Sequence, residues 1–402
     1  MRRVAAAPRP GWRDTVTSQG LVFPVTPRPD GGEAVYWDES ARYELTLAEV
    51  EALEAVTEEL YGMCLEAARV MAHRFTDTDL RLPDGSMALV RESLERGDDS
   101  VYARFDLAYD GVGPAKMLEI NGDTPTGLVE SAVVQWNWLE DVFPDHDQWN
   151  SVHDRLVGWW RERAARWPHG LHFLHSKADD SGEEEMTVAY LRDTAASAGV
   201  VTYGHPIEDV GWDSARNLFV DLHDLPVEAA FKLYPWEDML AEPFGAHLLR
   251  HEEANPVRWL EPTWKLMLST KAILPVLWEL YPGHPNLLPA YRDYPSGLSE
   301  WVAKPLWGRE GDNVVMSTRT HQERRGGSYA GQPLVYQQYT RLPVFDGNHV
   351  VLGSWVVGGR SAGCLVRESD GPVTDYFSRV VPHLISDAAM PDAAQVAAWL
   401  RE

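Results

Sequence analysis

Four polar residues stand where two buried strands are expected. In "YARFDLAYDGVGPAKMLEINGDTPTG" (residues 102–127), Arg104 and Asp106 alternate with Phe105 and Leu107, while Glu119 and Asn121 flank Ile120. A strand sends residues i and i+2 to one face, roughly 6–7 Å apart. "DGVGPA" between the two runs is turn chemistry, so the spacing predicts a hairpin with an arginine, two carboxylates and an amide on one face. Such a face is costly to bury unless it binds something or closes into a salt-bridge network. Carboxylate and carbonyl oxygens suit a hard cation such as Mg²⁺, which takes few protein ligands and completes its shell with phosphates. Asp106, Glu119 and Asn121 are therefore candidate ligands for one or two Mg²⁺ ions. Arg104 is a candidate for stabilising charge on a transferring phosphoryl group.

A second stretch, "VAKPLWGREGDNVVMS" (302–317), ends a strand at Lys304, runs through a loop with Gly308 and Gly311, and resumes as a strand. Backbone N–H groups of a glycine-rich loop can cradle phosphate, and a strand-end lysine adds charge. The stretch has neither the GK[ST] of a Walker loop nor the GxGxxG of a dinucleotide site, and an ordinary glycine hairpin would look the same.

The elements that must position these residues are mixed. Residues 1–40, rich in Pro, Gly and Arg, read as an extended arm. Residues 46–75 predict a long helix with an apolar stripe, capped by Thr46 with Glu49 completing a capping box. Helices are predicted over 128–143, 151–166 and 183–199, and strands at "LHFLH" (171–175) and "VVTYG" (200–204). That strand–helix–strand rhythm predicts a small α/β lobe over 168–235. "AAFKLYPWEDML" ends a strand at Lys232 and opens a helix after Pro235. Residues 259–282 read as mostly helical, kinked or split at Pro275. From 301 onward, short β runs separated by Gly, Asp and Asn predict an antiparallel sheet. The chain thus divides into 1–167, 168–235 and 236–402, an α+β and α/β mixture.

With 402 residues, 44% of them hydrophobic, the chain is long enough for two or three lobes. Its 36 Lys and Arg against 61 Asp and Glu give a formal charge of -25. That charge repels nucleic acid and anionic membranes and tolerates a cationic substrate, although solubility alone would also explain it. Cys64 and Cys364 form no CxxC motif and are expected to be buried, without disulfide or zinc. No apolar run approaches the ~18–20 residues of a membrane span. Pro8, Arg9 and Pro10 interrupt any signal-peptide core, so a cytoplasmic protein is expected.

Taken together and in order, "RFDLAYDGVGPAKMLEINGDTPTGLVESAVVQWNW", "FKLYPWE", "STKAILPVLW", "VAKPLWGREGDNV" and "YQQYTRLPVFDGNHVVLGSWVVGGRSAG" resemble the synthetase domain of glutathionylspermidine synthase and its stand-alone relatives. The resemblance covers nearly the whole chain. It implies an ATP-grasp fold with the metal-binding hairpin early in the chain. The implied activity is an ATP-dependent carboxylate–amine ligase that forms an amide through an acyl phosphate. The implied cofactors are ATP and Mg²⁺. The implied partners are a small-molecule or peptide carboxylate and an amine, with a polyamine as one option.

Residue by residue, the resemblance places Arg104 beside the transferring phosphoryl group and Asp106, Glu119 and Asn121 on the metal. Lys271 and Lys304 fall on the nucleotide phosphates, Glu310 and Gly311 in a loop over ATP, and Gln337 and Gln338 beside the adenine. Thr124 and Thr126 fall on the acid substrate, and Lys232 resembles a substrate-contacting lysine. The run "SKADDSGEEEM" lies where the family keeps acidic groups near the polyamine, but it also reads as a solvated loop, the reading favoured here. The chain starts at the synthetase without the family's amidase domain, so hydrolysis of the product is not expected. Two other functions fit the same residues: a nucleotide-binding regulator without ligase chemistry, and a phosphotransferase that stops at the phosphorylated substrate.

Overall fold

The computed structural model describes residues 1–28, 30–249 and 257–386. Its centre is an antiparallel sheet in the order Arg379–Val381, Arg360–Ser369, Asn348–Val357, Tyr102–Ala108 and Lys116–Asn121, with Val344–Phe345 on the edge of Asn348–Val357. The predicted hairpin is therefore Tyr102–Ala108 with Lys116–Asn121, and the C-terminal hairpin pairs directly beside it. One face of this sheet carries Phe105, Leu107, Ile120, Leu352 and Val366 into a core shared with Leu53, Leu60, Ala67 and Met71 of the helix Leu47–Arg74. Burying each such side chain is worth about 1.5–3 kcal/mol. The helix opens as expected, with Thr46 N donating to Glu49 Oε2 (2.8 Å) and Glu49 N donating to Thr46 Oγ1 (3.2 Å).

A second antiparallel sheet runs in the order Ala290–Arg292, Leu334–Gln338, Trp301–Pro305, Val315–Ser317 and Gln322–Arg324. It carries the Lys304 strand and its loop. A third, all-parallel sheet has the order Arg258–Leu260, Ala229–Lys232, Leu171–His175 and Thr202–Pro206. The helices Val152–Arg163 and Glu183–Ser197 pack together, and their Leu156, Trp160, Val188 and Leu191 share a core with Leu171 and Phe173 of this sheet. A small α/β lobe is expected over 168–235; this sheet also draws the helix Val152–Arg163 from before that span and the strand Arg258–Leu260 from beyond it.

Two local expectations need correction. Residues 1–40 are not a plain extended arm: they hold Arg2–Ala5, the helix Trp12–Ser18, and the paired strands Val25–Pro27 and Glu33–Val35. Residues 259–282 are not one kinked helix. They comprise the end of Arg258–Leu260, the short turns Thr263–Lys265 and Leu266–Ser269, and the helix Ile273–Leu280. Pro275 sits in the first turn of that last helix, where no N–H is needed, so it neither kinks nor splits it. Residues 128–142 are helical, as expected, with a π-helical stretch, Glu130–Val134, before the α-helix Gln135–Val142. Among the described residues, no helix is long and apolar enough to cross a membrane. Cys64 and Cys364 are free and buried, as expected.

Candidate active site

The polar face of the hairpin forms the floor of a cleft of ≈ 1160 Å³ between the three sheets. Antiparallel pairing sets Asp106 opposite Glu119 and Arg104 opposite Asn121, so all four side chains stand together, as their spacing predicted. Asp106 is gripped from two sides. Arg104 Nε donates to its Oδ1 at 2.9 Å, and Arg367, from the strand Arg360–Ser369, donates to its Oδ2. Burial alone would raise this carboxyl, but the two guanidinium groups hold it down to about 2. Glu119 is held in the same way by lysines, with Lys271 Nζ at 3.3 Å and Lys304 Nζ at 3.9 Å. Against the effect of burial, they keep it below the usual carboxylate range. Lys304 also donates to the Leu118 carbonyl at 2.8 Å, and burial brings its ammonium down to about 8.

Four cations thus surround two carboxylates on the floor of a cleft in a chain of charge -25. Lys271 reaches this point because the helix expected over 259–282 breaks at Thr270, whose backbone is extended, and Lys271 N bonds the Leu306 carbonyl at 2.8 Å.

The segment after the hairpin turns sharply beneath the floor. Gly122 lies so close to Leu268 that a β-carbon there would come within 2.3 Å of it. Thr124 and Thr126 line the cleft, and the Thr126 carbonyl accepts from Arg104. Above the floor, the loop between Trp301–Pro305 and Val315–Ser317 brings Arg309, Glu310 and Gly311 to the cleft. Glu310 (φ 52°) and Gly311 (φ 74°) are both left-handed, and a β-carbon on Gly311 would meet the Thr374 carbonyl at 2.7 Å. Gln337 and Gln338 line the cleft, as do the apolar side chains of Leu118, Leu288, Val302, Leu342 and Val351. Gln337 Nε2 donates to the Met117 carbonyl at 3.2 Å, tying the second sheet to the hairpin.

Lys232 alone among the candidate residues is not brought to the cleft. Its ammonium is fully buried, 2.7 Å from Asp123 Oδ1 and 2.8 Å from the Tyr234 carbonyl. It therefore holds the loop beneath the floor and does not face a ligand there.

Sequence reasoning missed Arg367, which alternation within "GCLVRES" puts on the same face as Leu365, a cleft residue. It also undervalued "SKADDSGEEEM". Asp179 caps the helix Glu183–Ser197 by accepting from Glu184 N at 2.8 Å, and Asp179, Asp180, Glu183 and Glu184 form a wall of the cleft. Lys177, Ala178, Asp180 and Ser181 are exposed, as the solvated-loop reading has it, while Asp179, Glu183 and Glu184 are half-buried along the cleft. Burial and the neighbouring Glu130 push Glu183 up to about 8, and burial chiefly pushes Glu184 up to about 7. Glu130 is itself fully buried in the π-helix, where it accepts from Tyr36 Oη at 2.6 Å.

Among the described residues, no three His, Cys, Asp or Glu side chains converge on one point. The hairpin offers instead two ionised carboxylates and an amide. That donor set suits Mg²⁺ delivered with a phosphate ligand, not a closed protein cage.

The chain matches the model of the glutathionylspermidine synthase preATP-grasp family over residues 3–386. A Haemophilus influenzae protein that carries the name of an acid–amine ligase is 38% identical over 400 residues, covering 95% of this chain and 99% of that one. The bifunctional glutathionylspermidine synthetase/amidase of Escherichia coli is 26% identical over 384 residues, covering 88% of this chain and 61% of its own length. Trypanothione synthetase of Crithidia fasciculata is 28% identical over 342 residues, covering 77% of this chain and 51% of its own. Among solved structures, a glutathione synthetase-like effector of Globodera pallida superposes with a TM-score of 0.58 at 10% identity, covering 94% of this chain and 96% of that one, and so shares the fold. The family match over nearly every described residue, together with these ligase relatives, places the chain in the glutathionylspermidine synthase preATP-grasp family.

Proposed function

We propose that the protein is an ATP-dependent, ADP-forming carboxylate–amine ligase with an ATP-grasp site. The observation that carries this reading is the cationic floor: Arg104, Arg367, Lys271 and Lys304 grip only two carboxylates, which leaves positive charge for a polyphosphate. The adenine would lie beside Gln337 and Gln338 against apolar side chains of the cleft, and the loop with Glu310 and Gly311 would cover the phosphates. Asp106, Glu119 and Asn121 would hold Mg²⁺, which when bound offsets phosphate charge. As phosphate arrives, Arg104 and Arg367 can exchange a carboxylate partner for phosphoryl oxygens.

In the reaction, an oxygen of the acid attacks the γ-phosphorus and ADP leaves. The amine nitrogen then attacks the acyl carbon, the C–O bond to phosphate breaks, and the amine gives up a proton. The protein's share is positioning, charge neutralisation and exclusion of water, with no covalent enzyme nucleophile. Thr124 and Thr126 would meet the acid. The wall of Asp179, Asp180, Glu183 and Glu184 favours an amine with more than one positive charge, such as a polyamine.

The test is an ADP-release screen of acid and amine pairs with Mg-ATP, including glutathione and polyamines, with products read by mass spectrometry. ADP release that requires both an acid and an amine, with a product of their summed mass less water, supports the ligase. A stable phosphorylated acid formed without amine would make the protein a phosphotransferase. No ADP release from any pair, despite nucleotide binding, would favour a regulator.

A further inference from the structure

Asp123 is the residue of "NGDTPTG" whose carboxylate turns away from the cleft. It is fully buried, and its two oxygens are bound to the end of the strand Ala229–Lys232 and to the start of the helix that follows it. Oδ1 accepts from Lys232 Nζ at 2.7 Å, and Oδ2 accepts from the backbone N–H of Trp236 at 3.0 Å. Lys232 Nζ also lies 4.6 Å from the Trp236 ring centre. Trp236 opens the helix Trp236–Ala241, and its indole donates to the Glu261 carbonyl at 3.0 Å, which fixes its rotation.

The next residues of that helix are held from the other side of the cleft. Arg309, in the loop that resumes at Val315, pairs with Glu237 and lies 3.9 Å from Asp238. The side chain of Glu237 is 9% exposed and that of Arg309 30%, so this pair is partly shielded from water. The segment carrying Thr124 and Thr126 and the loop carrying Glu310 and Gly311 are therefore pinned to consecutive residues of one short helix, Trp236 and Glu237.

We propose that the helix Trp236–Ala241 couples the two substrate sites, with Lys232 and Asp123 as positioning residues and Arg309 and Glu237 as the second anchor. The inference rests on the ligase reading, which assigns the acid to one segment and the nucleotide to the other. A buried ion pair resists displacement because neither charge has water to return to. A shift of the 306–314 loop onto nucleotide phosphate is then passed through Arg309 to the helix, and through Trp236 and Asp123 to Thr124 and Thr126. Nucleotide would order the acid subsite before the acid arrives, and acid would raise nucleotide affinity by the same factor.

The test is hydrogen exchange read by mass spectrometry on the full chain, with Mg-ATP as the probe. Three proteins are compared: the parent, Glu237→Gln, and the double variant Asp123→Asn/Lys232→Met, which removes both buried charges together. In the parent, Mg-ATP should slow exchange in both 306–314 and 122–127. In either variant, protection of 306–314 should persist while that of 122–127 falls by about tenfold, the scale of a typical coupling between sites. A merely structural role would change stability without separating the two segments. Glu237→Gln leaves the buried Lys232–Asp123 pair intact, so the test survives a double variant that fails to fold. Equal Mg-ATP protection of 122–127 in the parent and Glu237→Gln would overturn the coupling while leaving the ligase reading in place. No Mg-ATP protection of 306–314 in the parent would overturn the ligase reading, and the coupling with it.

Discussion

Glu119 sits between two lysines, and this decides what its removal does. From alternation alone, deleting one of two facing carboxylates would be expected to relieve repulsion. The structure shows the reverse, because Lys271 and Lys304 already neutralise Glu119. In Glu119→Gln those two ammonium groups face each other with less compensation. The ligand-free protein should lose about 1–2 kcal/mol, at the low end for broken ion pairs because Glu119 is 26% exposed. Thermal melting without nucleotide checks this, and Mg-dependent turnover should be lost in the same variant. Retained turnover would remove Glu119 from the metal set. For Lys304→Met, Mg-ATP affinity should fall at least about tenfold, the scale of one charge-assisted contact to phosphate. The fold should persist, since the Leu118 carbonyl loses one partner and Glu119 keeps Lys271, the nearer of its two lysines. Unchanged affinity by calorimetry would place the phosphates elsewhere. At this scale the hairpin face was readable because a period of two is local. Arg367 was not, because it meets Asp106 across 261 residues of sequence. The placement of Lys232 was not legible for a related reason: a strand-end lysine looks the same whether it faces a cleft or a buried aspartate.

The elements tell a similar story. The helix Leu47–Arg74 was legible from its stripe and its cap, both local signals. The break at Thr270 was not, because tertiary bonds to Leu306 override helix propensity there. Nor was the role of "SKADDSGEEEM", since a charge run has no local feature that says whether it faces water or a cleft. Its placement makes a prediction for the helix Glu183–Ser197. With Glu183 raised from 4.5 to about 8, the folded protein holds a proton that the unfolded chain has released. That contribution is fully present below pH 4.5 and is lost as pH rises through about 8. Glutamine mimics the protonated form, so Glu183→Gln should match the parent in stability near pH 5. It should exceed the parent by about 1–3 kcal/mol at pH 9, a range reduced for partial exposure. Denaturant melts at the two pH values check this. In the ligase reading, a cationic amine lowers the pKa of Glu183, so its binding at pH 7–8 should release protons. Calorimetry in buffers of different ionisation enthalpy reads the release, and in Glu183→Gln it should shrink while Mg-ATP affinity holds. An equal release in both proteins would move the ammonium away from Glu183.

Over the whole molecule, composition and local charge point in opposite directions. The chain carries -25, yet the cleft floor is cationic and one cleft wall is acidic. Composition gave only the first of these, because the floor's four cations come from strands and turns far apart in sequence. In the ligase reading, two oppositely charged substrates reach one cleft through the same long-range field. An anionic nucleotide approaches against the net charge and is captured only at short range by the floor. A polycationic amine is drawn in from a distance. Raising ionic strength shortens the reach of that field, to about 8 Å near 0.15 M, but weakens the partly buried floor contacts much less. The two substrates should then respond with opposite signs. As salt rises from about 20 to about 200 mM, kcat/KM for the amine should fall several-fold, and more steeply for a triamine than for a monoamine. The kcat/KM for Mg-ATP should hold or rise, because screening removes more repulsion than attraction. Steady-state kinetics with the acid–amine pair returned by the ADP-release screen would measure both slopes. Parallel falls for amine and nucleotide would mean that the acidic exterior does not steer the substrates, and that the acidic wall acts, if at all, only at contact.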